Sequence, residues 1–126
     1  MVSIGKSATA TITVTDKNTA KAVGSGNLDV FATPMMIALM EQAACKCLVD
    51  SLEPGQSSVG TQINVAHTAA SPLEAKITAT ATVENVDGRK VSFAVTACDG
   101  TNEIGSGTHE RFVIDAERFM KKLEQR

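Results

Sequence analysis

Three side chains in this sequence carry groups suited to acid–base and nucleophilic chemistry: the hydroxyl of Thr33, the carboxylate of Glu41 and the imidazole of His67. Glu41 interrupts an otherwise apolar run, between Met40 and the pair Ala43-Ala44. A carboxylate buried without a partner is expensive. Glu41 therefore either lies at a wet edge, is paired inside the core, or is kept for a reaction. Thr33 stands eight residues earlier, about two helical turns, which puts both groups on one face of a helix. Its hydroxyl has a competing use as a helix N-cap ahead of Pro34, so it either caps or meets a substrate. His67 closes an alternating segment. It is either a half-exposed strand-end histidine or a proton-transfer group, for which an ordinary pKa near ~6.5 is well placed.

A second group lies in the run from Gly105 to Phe112 (Gly-Ser-Gly-Thr-His-Glu-Arg-Phe). Strand alternation puts His109 and Arg111 on one face with Gly105, Gly107 and Val113, opposite Ile104, Phe112 and Ile114. Arg111 can pair with Glu110 or Glu103, or bind an anionic group of a ligand. Gly105 and Gly107 allow a bend or the close approach of another chain. Other chemistries lack their signatures: the sequence has no G-x-S-x-G elbow, no P-loop and no H-E-x-x-H site. Gly24-Ser25-Gly26 is not a dinucleotide fingerprint, because it does not join a strand to a helix as G-x-G-x-x-G does.

These residues sit on elements that the pattern defines. Residues Ser7 to Thr15 alternate as a half-buried strand, with Ala8, Ala10, Ile12 and Val14 inward. A polar stretch with a short helix at Thr19 to Val23 follows. The long helix runs from Met35 to about Leu52, with Thr33 as N-cap, Pro34 at its first position and Pro54-Gly55 after its end. Met36, Ile37, Met40, Ala43, Ala44, Cys47 and Leu48 recur at helical spacing, and the opposite face is hardly polar, so the helix must be wrapped. Four strands come next: Ser57 to Ala69, Ala75 to Val86, one carrying Val91, Phe93, Val95 and Ala97, and Glu103 to Ile114. The first of these turns Val59, Thr61, Ile63, Val65 and His67 to one face. Asp87-Gly88 and Asp99-Gly100 mark turns. Asp115 caps a last short helix to Glu124. One buried helix followed by an antiparallel meander implies an α+β fold with a sheet curled around a central helix, the hotdog arrangement.

Length and composition fit this picture. The 126 residues form one domain, 1–126, with 43% hydrophobic and 21% charged residues. Aromatics are only 3%, so burial at a subunit interface would help the small-residue core. The net charge of −2 and the lack of a basic cluster speak against nucleic acid as a partner. No run is long enough for a membrane span, and Met1 to Ser7 lacks the plan of a secretion signal. Cys45, Cys47 and Cys98 read as reduced packing residues in a cytoplasmic protein.

The spacing of these residues resembles that of one known family. Gly24-Ser25-Gly26 through Ala32-Thr33-Pro34, Ala38-Leu39-Met40-Glu41, Ala43-Ala44, Val59-Gly60-Thr61, Val65-Ala66-His67 and Gly105 to Phe112 together look like the thioesterase group typified by fluoroacetyl-CoA thioesterase. The resemblance covers Thr13 to Phe119. It implies a hotdog homodimer with the site between subunits, and hydrolysis of a small acyl-CoA thioester with no cofactor beyond the substrate's own CoA. It places the catalytic set on Thr33, Glu41 and His67, and the glycine near the reacting carbonyl on Gly60. Arg111 becomes a candidate for a CoA phosphate or the acyl end. Hotdog hydratases pair an Asp with a His, and no comparable Asp lies near His67. A non-catalytic acyl-CoA or small-acid binding protein is the alternative. One departure bears on the substrate. The fluoroacetyl-specific enzyme has aromatic residues in a lid before the long helix, where this chain offers Gly24, Ser25, Gly26, Asn27 and Leu28 with only Phe31 nearby. The expected acyl group is therefore another short or medium one.

Overall fold

A computed structural model describes residues 2–126. Met1, the first residue of the stretch read for a secretion signal, lies outside them. The elements run β1 (Ser7–Thr13), α1 (Ala20–Val23), α2 (Thr33–Leu48) with a 3₁₀ turn (Val49–Ser51), β2 (Gln56–His67), β3 (Lys76–Asp87), β4 (Lys90–Cys98), β5 (Glu103–Asp115) and α3 (Ala116–Glu124). The strands form one antiparallel sheet in the order β1-β3-β4-β5-β2. This is the α+β hotdog arrangement, with one long helix lying in a curled sheet.

The alternating strands behave as their pattern dictates. Ile77, Ala79, Ala81 and Val83 of β3 and Val91, Phe93, Val95 and Ala97 of β4 are all buried. They face Met36, Leu39, Met40, Ala43, Ala44, Cys47 and Leu48 of α2. Small residues on β1 and β3 let the helix approach closely, and α2 packs mainly on these two strands and only lightly on β2 and β4. The β3–β4 hairpin closes through Gly88-Arg89, with Gly88 at φ 62, a value that suits glycine.

Three expectations change. The four later strands are not a single meander. β2 crosses over to pair with β5, because the connection 68–75 is no tight turn, so β2 becomes an edge strand. Nor does the sheet wrap the whole helix: Pro34, Gln42 and Cys45 are exposed, and Ile37, Ala38 and Glu41 only half-buried. The cysteines are free but unequal. Cys47 is buried beneath Ala81, and burial pushes its thiol up, whereas Cys98 is half-buried and Cys45 is exposed rather than packed. Asp115 caps α3 as expected, accepting from the Arg118 N–H.

Candidate active site

The first site element is the start of α2. The loop ahead of it is tied down by backbone bonds: Phe31 N–H donates to the Ser71 carbonyl at 2.9 Å and Ala32 N–H to the Asn18 carbonyl at 3.0 Å. Asn18 is itself buried and bound at both ends of its side chain, to Thr15 N–H and the Thr13 carbonyl. The buried Phe31 ring anchors the approach. The helix begins at Thr33 with Ala32 as its N-cap, and no side chain caps it. Thr33 is therefore not the N-cap that the Thr-Pro pair suggested. Its hydroxyl is free for another partner, and Thr33 Oγ1 lies 2.7 Å from His67 Nδ1.

His67 arrives at this point on the last residue of β2, paired with Gly105 on β5. The next residue is locked by its N–H and hydroxyl to the Ile104 carbonyl. Burial pushes the His67 pKa below its ordinary 6.5, and the Ala69 backbone offsets part of this. Its Nε2 is buried and finds no partner among the described residues. If Thr33 donates to Nδ1, the Nε2 proton is the one left pointing at an incoming group. A groove of about 250 Å³ opens here, lined by Ala20, Ser25, Val30, Phe31, Thr33 and His67 with residues 68–70.

Glu41 is not in that groove. It lies about 12 Å further along the helix by rise alone. It projects between α2 and β2 into a second pocket of about 260 Å³ with Gly60, Thr61, Gln62, Ile63 and His109. Its carboxylate is 3.4 Å from Arg111 Nη1, with side-chain exposures of 41% for Glu41 and 8% for Arg111. Thus Glu41 is both paired and partly wet. Arg111 is turned inward, engaging neither Glu110 nor Glu103. It donates through Nε to Ser58 Oγ, through Nη2 to the Ser58 carbonyl, and through Nη1 to His109 Nε2.

A bulge at Thr61 builds this pocket. The ladder pairs Gly60 with Arg111 but Gln62 with Glu110, so one extra residue flips the alternation. Ser58 and Gly60 face inward before the bulge; Ile63, Val65 and His67 face inward after it. The expected common face of Val59, Thr61, Ile63, Val65 and His67 therefore breaks: Val59 pairs with Phe112 on the outer side. A Cβ on Gly60 would meet the Glu41 carboxylate at 2.7 Å, so glycine makes room for that carboxylate. His109 was legible only as a neighbour of Arg111. The structure makes it a buried member of the pocket, 1% exposed and stacked on Phe93. Gly105 and Gly107 leave room for parts of their own molecule, Met36 and the β2 backbone respectively.

A long helix lying in a curled antiparallel sheet is the frame of the hotdog thioesterases. A Thermus thermophilus member of that superfamily superposes with a TM-score of 0.89 at 25% identity, over 99% of this chain and 95% of that one. Residues 14–117 match the family model of FlK, the fluoroacetyl-CoA-specific thioesterase. The fluoroacetyl-CoA thioesterase of Streptantibioticus cattleyicolor is 50% identical over 98 residues, 78% of this chain and 70% of that protein. A solved structure of the fluoroacetyl-CoA thioesterase FlK has a TM-score of 0.93 at 40% identity, covering 100% of this chain and 98% of that one. The chain belongs to the fluoroacetyl-CoA-specific thioesterase family and is an acyl-CoA thioester hydrolase.

Proposed function

We propose that this enzyme hydrolyses a short or medium acyl-CoA other than fluoroacetyl-CoA, using Thr33, Glu41 and His67 as its catalytic set, in a cytoplasmic homodimer whose site is shared between subunits. The observation that carries the reading is the 2.7 Å contact of Thr33 with His67. A threonine at a helix start ordinarily caps the helix, and this one is spent on an imidazole instead. The hydroxyl orients the ring and fixes which nitrogen carries the proton. Glu41 delivers the attack on the thioester carbonyl, either through a water whose proton it takes or itself, forming a mixed anhydride that water then hydrolyses. The C–S bond breaks, the sulfur leaves as a thiolate hydrogen-bonded by the Nε2–H of His67, and the proton released by the attacking water ends on the thiol or in solvent. The Gly60 backbone and the start of α2 face the developing oxyanion.

The division of these groups between two pockets supports a shared site. Within one chain the carboxylate and the imidazole are too far apart to act on one carbonyl. β2 carries both Gly60 and His67 and is an edge strand, and the uncovered face of α2 lies beside it. A two-fold partner paired along β2 would cover both and bring Glu41 of one subunit to Thr33 and His67 of the other. Subunit complementation tests this. Glu41→Gln and His67→Ala each lower turnover by ~10²-fold or more. A purified mixed dimer of the two variants then recovers about half of wild-type activity, since one of its two sites is intact. No recovery, or a monomeric mass in solution, would refute the shared site.

The acyl preference rests on the approach to the groove. Gly24 to Leu28 are exposed and carry no aromatic ring, and Leu28 is 68% exposed. Solved mutants of FlK hold fluoroacetate with CoA, or acetyl-CoA. A panel of acyl-CoAs with a thiol reagent measures this enzyme's preference. Favouring fluoroacetyl- over acetyl-CoA by ~10²-fold or more would overturn the proposed specificity.

A further inference from the structure

Four phenylalanines are the only Phe, Tyr or Trp rings in this chain, and they divide by place. Phe31 and Phe93 are buried, whereas Phe112 is 41% exposed on the outer side of β5 and Phe119 is half-buried on α3. The two outer rings share a cleft of about 150 Å³ with Arg89 from the β3–β4 hairpin and with Arg118 and Lys122 of α3. Asp115 also lines it, and its carboxylate is engaged by the Arg118 N–H as the α3 cap. None of the three cations makes an ion pair among the described residues, whereas Lys121 is paired with Glu117 at 3.3 Å. Water-facing rings beside unpaired cations suit a stacked base and its phosphates. The hydrolysed substrate carries such a group, because CoA ends in a phosphorylated adenosine.

Within one chain the cleft is at the wrong end of the sheet. His67 pairs with Gly105 and Gln56 with Asp115, so the groove at His67 and the start of α3 lie at opposite ends of β2 and β5. The ten residues from Gly105 to Asp115 span roughly 33 Å by strand rise, more than a pantetheine arm bridges. An antiparallel two-fold along β2 reverses the placement. It sets the Gln56 end of the partner's β2 beside His67, and α3 starts at that end, where Ala116 N–H donates to the Gly55 carbonyl at 3.0 Å. Because β2 begins at Gln56, an arm leaving the inner groove rounds the end of the strand to reach the outer side that carries Phe112.

We propose that the cleft of Phe112, Phe119, Arg89, Arg118 and Lys122 on one subunit holds the phosphoadenosine end of the CoA whose thioester lies at His67 of the other. The rings stack on the adenine and the cations pair with the phosphates. The proposal rests on the shared site described above.

Steady-state kinetics on an acyl-CoA and on the matching acyl-pantetheine, which lacks the nucleotide, test it. Phe112→Ser, and Arg118→Ala together with Lys122→Ala, should each raise KM for the acyl-CoA about 10-fold at low salt with kcat kept, and should not alter the kinetics on acyl-pantetheine. Adenosine 3′,5′-bisphosphate should inhibit the wild type competitively against acyl-CoA. An unshifted KM, or equal losses on both thioesters, overturns the subsite; inhibition that acyl-CoA does not relieve overturns it in favour of a separate nucleotide site. The mixed dimer of Glu41→Gln and His67→Ala then assigns the subunit. Phe112→Ser added to the His67→Ala chain should raise KM, and added to the Glu41→Gln chain should not. The reverse pattern overturns the placement across subunits. Loss of complementation would show in the kcat of the mixed dimer, not in the KM ratio, and would remove the shared site beneath the proposal.

Discussion

Gly60→Ala adds a single methyl group at the point where β2, β5 and α2 meet, and its effect can be worked out from distances. The new methyl would sit 2.7 Å from the Glu41 carboxylate, 3.2 Å from His109 Cε1 and 3.3 Å from Arg111 Nη1. The two latter contacts ask for a few tenths of an ångström. The first is different in size: ordinary contact at a carbon lies near 3.5 Å, so the carboxylate must retreat by roughly 0.8 Å. It is the free end of a flexible side chain and can do so at little cost to the fold. Gly60 is not among the glycines at positive φ, so alanine fits the backbone and restricts the unfolded chain, worth about 0.4–1 kcal/mol in favour of folding. The variant should therefore melt within a few degrees of wild type while kcat/KM on its best acyl-CoA falls about 10²-fold, as expected when a reacting group moves by nearly an ångström. Thermal melts and steady-state hydrolysis on the same preparation give both numbers. Unimpaired hydrolysis by a folded Gly60→Ala would refute the idea that the carboxylate works from its position beside Gly60, and an equally deep loss of melting temperature would reduce the effect to misfolding.

Three other outcomes follow from the same geometry. Gly107→Ala should do the reverse of Gly60→Ala, because its Cβ would strike the Asn64 carbonyl and the Val65 backbone, which cannot move independently. A loss of about 1–3 kcal/mol in denaturant unfolding is expected. Thr33→Val should leave the melting temperature nearly unchanged, since no cap is removed, yet lower kcat; a loss near the ~1 kcal/mol of a missing N-cap would show that the hydroxyl holds the helix instead. Acid should destabilise the protein through His67 and His109, both shifted down chiefly by burial. Between each lowered value and the ordinary 6.5 the unfolded chain binds a proton that the folded chain does not, so stability falls as pH drops through that window and levels off below it. Melts from pH 7.5 to 5 should show a shallower decline for His109→Gln than for wild type, and parallel curves would contradict this.

The sequence made some of these features legible and hid others for identifiable reasons. Helix α2 and the buried faces of β3 and β4 could be read directly, since Ile77 to Val83 and Val91 to Ala97 alternate without interruption. The place of β2 could not, because strand pairing across a long connection leaves no local signal. The bulge at Thr61 was equally hidden: one extra residue changes which side chains face inward without disturbing the period-two pattern on either side of it. Thr33 misled in an instructive way. Thr-Pro ahead of an apolar run predicts a capped helix, and the prediction fails where the hydroxyl has found the imidazole of His67. Local consistency tends to break at functional positions, so an uncapped helix start behind a capping residue is itself a clue to the site.

His109 shows the complementary limit. Its alternation put it beside Arg111, but nothing in the sequence said whether the pair faced water or the core. The answer depends on Gly60 and on the bulge, which together let Glu41 descend between α2 and β2 and meet the guanidinium. Without that descent, the guanidinium would keep its bonds to Ser58 and His109 and lose its carboxylate partner. Glu41, Arg111, His109 and Gly60 thus meet one another in a single pocket. Mutual contact of this kind predicts that Arg111→Lys, His109→Gln and Gly60→Ala will fail together in kcat and poorly add in combination. Multiplicative losses among the three would mean that they act on the reaction by separate routes.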